Sequence, residues 1–260
     1  MEEEQPIFIF GVGRCGSTLL QRILNSVDNV MISGEHGGFL GHMAQGYFSV
    51  INNNDVESCL WGGEQTSNTP ENLYRQLKDP HFWSAWANWF NKDDFKDIFR
   101  KSLKNFFMPA CLVNHGIWGF KEVRYFYGDR VGDMIINLFP KARFIFITRN
   151  PTDVIISQMI ACKLPFDEAL SRWISIHNNM LQFCKRVPDN CYFVKLEDMV
   201  QSSPSSLGNL FTWLGFDLTD KQRSILDISI GSVRNGFKLD EEQERIVGRS
   251  TKWLKAELGY

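Results

Sequence analysis

The chain has 260 residues, enough for one large α/β domain. With 43% hydrophobic and 22% charged residues and a formal net charge of -2, it has an ordinary globular composition and no global positive field for a nucleic-acid partner. No stretch nears the ~20 apolar residues of a membrane span, the acidic opening Met1–Pro6 does not read as a secretion signal, and scattered cysteines without a CxxC pair fit reduced cytoplasmic thiols, not a disulfide framework or a zinc site.

Ile7–Phe10 is a short apolar run that ends at Gly11, as a buried strand does. Leu19, Leu20, Ile23, Leu24 and Val27 then form a helical stripe from Ser17. Val30–Ile32 reads as a second strand. Residues 52–80 are rich in Asn, Gly, Ser and Thr and read as a long irregular insertion. Helical patterns follow near 81–90 and 93–107. A strand begins near Ile117 and closes at Gly119-Phe120-Lys121. Ala142–Thr148 is the clearest buried strand, followed by helices over 151–162 and 166–186. Cys191–Leu196 reads as another strand, and 203–214 and 239–257 as helices. Strands alternating with helices predict a single α/β domain over 1–260. Its centre is a parallel sheet of P-loop type flanked by helices, and residues 52–110 supply a helical or irregular insertion that acts as an acceptor-side lid.

The strongest chemical pattern is Gly11-Val12-Gly13-Arg14-Cys15-Gly16-Ser17-Thr18, between a predicted strand and a predicted helix. Backbone N–H groups and the positive helix end make an anion site there. Glycines let the backbone close on a ligand, and Ser17 and Thr18 add hydroxyl donors. The spacing is that of a P-loop, with Ser17 in the place of the usual lysine. A kinase needs that lysine and a metal-holding Asp at a strand end. Here the strand 144–148 ends in Arg149. Ser157 lies two turns into the following helix, which Asn150-Pro151 opens. Arg149 and Ser157 together suit a second anionic group, so the two motifs point to a ligand with two separated anions and no metal.

The pattern resembles the sulfotransferases that use 3′-phosphoadenosine 5′-phosphosulfate (PAPS), above all their bacterial and Golgi-type branches. Gly13–Leu20 looks like their 5′-phosphosulfate loop, and Thr148-Arg149-Asn150-Pro151 with Ser157-Gln158 like their 3′-phosphate motif. Gly119–Glu122 resembles the middle strand, with its lysine. Val194–Val200 resembles a later signature, with Leu196 where tyrosine is common, and Leu258-Gly259-Tyr260 is typical of bacterial members. The resemblance implies in-line transfer of the sulfuryl group to a hydroxyl or amine, with 3′-phosphoadenosine 5′-phosphate (PAP) leaving and no metal required. It implies that Gly13, Arg14, Cys15, Gly16, Ser17 and Thr18 hold the 5′-phosphosulfate, and Arg149 and Ser157 the 3′-phosphate. Arg234 and Gly236 resemble a late motif that also binds this phosphate. Lys121 matches the lysine that approaches the sulfuryl and bridging oxygens.

Two neighbours compete for the part of general base. Glu35 matches the catalytic glutamate of the Golgi-type branch, and His36 is the alternative or its orienting partner. Cytosolic members use a histidine after the middle strand, where this chain has Glu122-Val123. On the acceptor side, Phe82, Trp86, Trp89 and Phe90 share a helical face that reads as core. Trp61, Gly62, Gly63 and Glu64 fall in the lid segment, where they are placed to touch an acceptor. The short chain points to a small-molecule acceptor such as a natural product of secondary metabolism. The competing readings are a small-molecule kinase using ATP and Mg²⁺, and a catalytically silent nucleotide-binding protein.

Overall fold

The computed structural model describes residues 4–53, 70–82, 92–109, 112, 116–200, 204–227 and 236–260. Its centre is a sheet of β1 (Ile7–Gly11), β2 (Val30–Ser33), β3 (Ile117–Glu122), β4 (Arg143–Thr148) and β5 (Cys191–Lys195). The order is β2-β3-β1-β4-β5 and every pair is parallel. β1 is buried along its whole length, whereas β2 and β5, at the edges, are only partly covered. That explains why β1 and β4 read as continuous apolar runs in the sequence.

The pleat sorts the side chains onto two faces. Phe8 and Phe10 of β1 lie level with Phe120 of β3 and Phe144 and Phe146 of β4. They make an aromatic layer, with Phe8 and Phe120 ring centres 4.7 Å apart and Phe183 capping Phe144 at 4.9 Å. Offset and edge-on rings at such distances add to the area they bury. Ile7, Ile9, Ile145 and Ile147 alternate with them and fill the other face.

α1 (Ser17–Asn25) packs along β1, β2 and β3. α2 (Leu40–Ile51) follows β2, and the helix α3 (Pro70–Gln76) precedes α4 (Lys92–Phe107). α5 (Val131–Leu138) leads into β4. α6 (Pro151–Cys162) and α7 (Phe166–Arg186) connect β4 to β5 and pack on each other. The short α8 (Leu196–Val200), α9 (Pro204–Leu214), α10 (Asp220–Ser224) and α11 (Glu241–Glu257) complete the described chain. Asp240 starts α11 with a capping box to Gln243.

Several readings of the sequence need correction or limits. Residues 70–76, inside the segment read as irregular, form α3. Helices α2 and α5 were not anticipated. Gly41 and Gly46 weaken the helix signal of α2, although Leu40, Ala44 and Tyr47 are buried at helical spacing. α5 is only 8 residues long, yet Val131, Met134, Ile135 and Leu138 form its buried stripe. The helix expected near 81–90 lies, except for His81 and Phe82, outside the described residues, as do Trp61, Gly62, Gly63 and Glu64. Of the expected lid, α4 packs onto the body of the domain through Leu103 and Phe107.

The chain leaves β1 toward β2 on one side and leaves β4 toward β5 on the other. The carboxyl ends of β1 and β4 therefore flank a switch point, where open α/β sheets form ligand crevices.

Candidate active site

The loop from β1 into α1 is shaped by two glycines that no other residue replaces. A Cβ at Gly11 would lie 2.6 Å from both the Ile147 carbonyl oxygen and the Cys15 Sγ. Gly16 has φ +91°, and a Cβ there would lie 2.5 Å from Leu196. Arg14 also sits at positive φ, 75°, without being glycine, an arrangement that needs support from its surroundings. α6 gives that support. Arg14 Nε donates to Ser157 Oγ at 3.1 Å, and Gln158 Nε2 donates to the Gly13 carbonyl at 3.0 Å. Arg149 donates to the Arg14 carbonyl at 3.3 Å and pairs with Asp153 at 3.4 Å. Arg14, Arg149 and Ser157, separated by up to 143 residues, are thus in one cluster.

Ser17 opens α1 and is buried, and the cap position Gly16 makes no side-chain hydrogen bond to the first turn. The first N–H groups of α1 and the hydroxyls of Ser17 and Thr18 are the kind of donors that suit an anion. Cys15 is buried beneath the loop, and burial pushes its thiol up to about 11. It stays protonated at neutral pH and serves packing, not nucleophilic chemistry.

Behind Arg149 the strand end is anchored from three sides. Asn150 caps α6 by accepting the Thr152 N–H, and its own N–H donates to Glu197 Oε1 at 2.8 Å. Trp173 Nε1 donates to the Arg149 carbonyl at 3.2 Å. Tyr260 donates to the other Glu197 oxygen at 3.1 Å, and Lys195 Nζ reaches the Gly259 carbonyl at 2.8 Å.

A second cluster lies at the ends of β2 and β3. Lys121 is only 4% exposed, and its Nζ donates to Glu35 Oε1 at 2.6 Å. Arg124 NH1 donates to Glu35 Oε2 at 3.1 Å and to Glu122 Oε1 at 2.7 Å. Glu122 is level with Phe10 and Lys121 with Ile9, so the two side chains leave β3 on opposite faces. Burial by itself raises the Glu122 carboxyl. The amides of His36 and Val123 and the Arg124 guanidinium outweigh it and hold the group below the usual carboxylate range.

His36 goes to the aromatic side. Its ring packs against Phe39, Phe107, Phe120 and Tyr125, with the Phe120 centre at 4.7 Å. Its Nε2 is 2.6 Å from the Tyr125 hydroxyl, which also accepts the Leu40 N–H. Burial holds its imidazole below the usual histidine range. Glu35 and His36 are adjacent in sequence but separated in environment: Glu35 joins Lys121, and His36 joins the core. Arg234 lies outside the described residues, and Gly236 is an exposed residue at φ +67°.

Sequence reasoning did not find Arg124, Tyr125 or the part played by Glu122. For Glu122 the signal was the parity of β3, which becomes readable only when the strand boundaries are known; Arg124 and Tyr125 lie just past the strand end.

The model of the sulfotransferase family matches residues 6–220, and the chain belongs to that family. It is a sulfotransferase, and this sets the kinase reading aside. The fold is similar to the sulfotransferase domain of the Synechococcus PCC 7002 olefin synthase, at 19% identity and a TM-score of 0.59, covering 100% of this chain and 97% of that one. The sulfotransferase domain from the curacin biosynthetic pathway is 16% identical, with a TM-score of 0.57 over 99% and 98% of the two chains. Mouse sulfotransferase SULT7A1, complexed with PAP, is 11% identical, with a TM-score of 0.51 over 96% and 84%. A search of curated protein sequences gave no match. The described residues contain no helix long and apolar enough to cross a membrane.

Proposed function

We propose that this sulfotransferase takes its sulfuryl group from PAPS and passes it to a hydroxyl or amine of a small-molecule acceptor, with Glu35 as general base. The observation that carries the reading is the contact of buried Lys121 with Glu35 at 2.6 Å, on the sheet edge that also carries the anion-binding loop. The donor set fits a 5′-phosphosulfate: the open N-terminus of α1, Ser17, Thr18 and Arg14. Arg149 and Ser157 fit the 3′-phosphate, and Arg234 with Gly236 is assigned to the same group. The complex of mouse SULT7A1 with PAP supports the same donor chemistry.

The donor, when bound, supplies the sulfuryl group and leaves as PAP. The protein does the rest. Lys121 and the loop amides stabilise negative charge that develops on oxygen. Glu35 accepts the acceptor's proton, since its side chain stays partly exposed, at 37%, where the Lys121 side chain is buried. His36 packs against Tyr125 and keeps the loop seated. Segment 52–110 is assigned to the acceptor side. The natural-product reading draws on the olefin synthase and curacin relatives, and the location we assign is the cytoplasm.

The test is calorimetric binding of PAP without metal, against ATP with Mg²⁺, in wild type and in Arg149→Ala. PAP binds without metal, and the variant binds it roughly 10- to 100-fold more weakly, the size of a lost charge-assisted hydrogen-bond pair. No PAP binding, with Mg²⁺-dependent ATP binding in its place, sinks the reading.

A further inference from the structure

The loop that carries Glu35 has little intrinsic order. It holds Gly34, Gly37 and Gly38, and the last two both have φ +75°. Such a segment loses much conformational freedom on folding and needs something to fix it. The fixing group is a carboxylate from another strand. Glu122 is 0% exposed. Its Oε2 accepts the backbone N–H of His36 at 3.1 Å and of Gly38 at 3.2 Å. Its Oε1 accepts the Val123 N–H at 2.9 Å and Arg124 NH1 at 2.7 Å. The same Arg124 nitrogen donates to Glu35. Consecutive residues of β3 therefore grip this loop from two sides: Lys121 takes the Glu35 carboxylate and Glu122 takes the backbone just beyond it.

Building on the reading of Glu35 as base, we propose that Glu122 is a positioning residue, clamping the His36 and Gly38 amides and, through Arg124, fixing Glu35 against Lys121 without touching substrate. A glutamine at this position keeps the shape but puts an amide NH₂ where an oxygen accepted N–H groups. The loop then loses its fixed register, and misplacement of a reacting group on the ångström scale costs up to about 10²-fold in rate.

The experiment is a double-mutant cycle with Glu122→Gln and Glu35→Gln, read as single-turnover rate, with PAP affinity measured alongside. Glu122→Gln lowers the rate by roughly 10- to 100-fold and leaves PAP affinity unchanged. In the Glu35→Gln background the same change costs nothing further, because the group it positions is gone. An equal loss in both backgrounds shows a general structural role and overturns the inference, as does a wild-type rate in Glu122→Gln while Glu35→Gln is impaired. A wild-type rate in Glu35→Gln overturns the base reading itself, so the two failures are distinct. Should Glu122→Gln not fold, Arg124→Gln, at a half-exposed residue, is put through the same cycle, and its loss must likewise vanish in the Glu35→Gln background.

Discussion

At the β1–β4 end of the sheet, the cations have replaceable partners: Arg14 holds a serine hydroxyl, and Arg149 holds a carbonyl and the half-exposed Asp153. At the β2–β3 end, the charges are locked. Glu122 takes four donors, Lys121 is buried on Glu35, and Arg124 joins the two carboxylates. A site that must bind and release a charged donor needs contacts that exchange readily. A site that must present a base at one position needs contacts that do not. On the proposed reading, the two ends of one sheet edge separate grip from aim.

The sharpest way to break this comparison is Lys121→Met. The change keeps the length and the burial and removes the charge. If Lys121 belongs to the aiming end, the single-turnover rate falls by about 10²- to 10³-fold, as on loss of one preorganised donor, and PAP affinity changes far less. A larger effect on PAP affinity than on rate moves Lys121 to the gripping end and blurs the division.

A smaller effect is expected beneath the gripping end. His177 is fully buried, stacks on Trp173 with ring centres 4.2 Å apart, and shares its Nδ1 with the Trp173 carbonyl at 2.7 Å. Burial pulls its imidazole down to about 4. An unfolded histidine titrates near ~6.5, so between these values the unfolded chain binds a proton that the folded chain refuses. Stability is therefore complete above ~6.5 and declines as pH falls toward 4, by roughly 3 kcal/mol in all. Denaturant unfolding at pH 7.5 and pH 5 measures it, and His177→Phe flattens the dependence. An unchanged slope in the variant places the acid sensitivity elsewhere, with His36 the next group to test, since burial also holds its imidazole below the usual histidine range and so costs stability over the same pH window.

The gripping end was the legible one because its residues come in contiguous blocks. The loop 11–18 and the pair Arg149 and Ser157 carry their chemistry in local spacing, and the apolar runs of β1 and β4 mark the strands that aim them. The aiming end was legible only as single residues. Glu35 and Lys121 stood out, but Glu122, Arg124 and Tyr125 meet the Glu35 loop through pairing of β3 with β2, across 84 to 89 residues. His36 had no sequence signal for its aromatic surroundings, since only Phe39 is its sequence neighbour while Phe107, Phe120 and Tyr125 come from α4 and from β3 and the turn after it. Propensity misled as well, since glycines in α2 and the shortness of α5 hid two helices whose tertiary packing outweighs them.

The finest test of the division uses Tyr260→Phe. The Tyr260 hydroxyl holds one oxygen of Glu197, and the other oxygen holds the N–H of Asn150, next to Arg149. Glu197 thus links the segment after α11 to the backbone that carries Arg149, the arginine proposed to hold the 3′-phosphate. Removing the hydroxyl removes one hydrogen bond, worth about 1 kcal/mol. Part of that cost appears as a lower Tm. If the gripping end depends on this support, part also appears as weaker PAP binding, up to about 5-fold for the whole 1 kcal/mol, while the rate at saturating donor is unchanged. A fall in that rate without a change in PAP affinity would mean that the Glu197 anchor serves the aiming end, and that grip and aim share one support across the sheet edge.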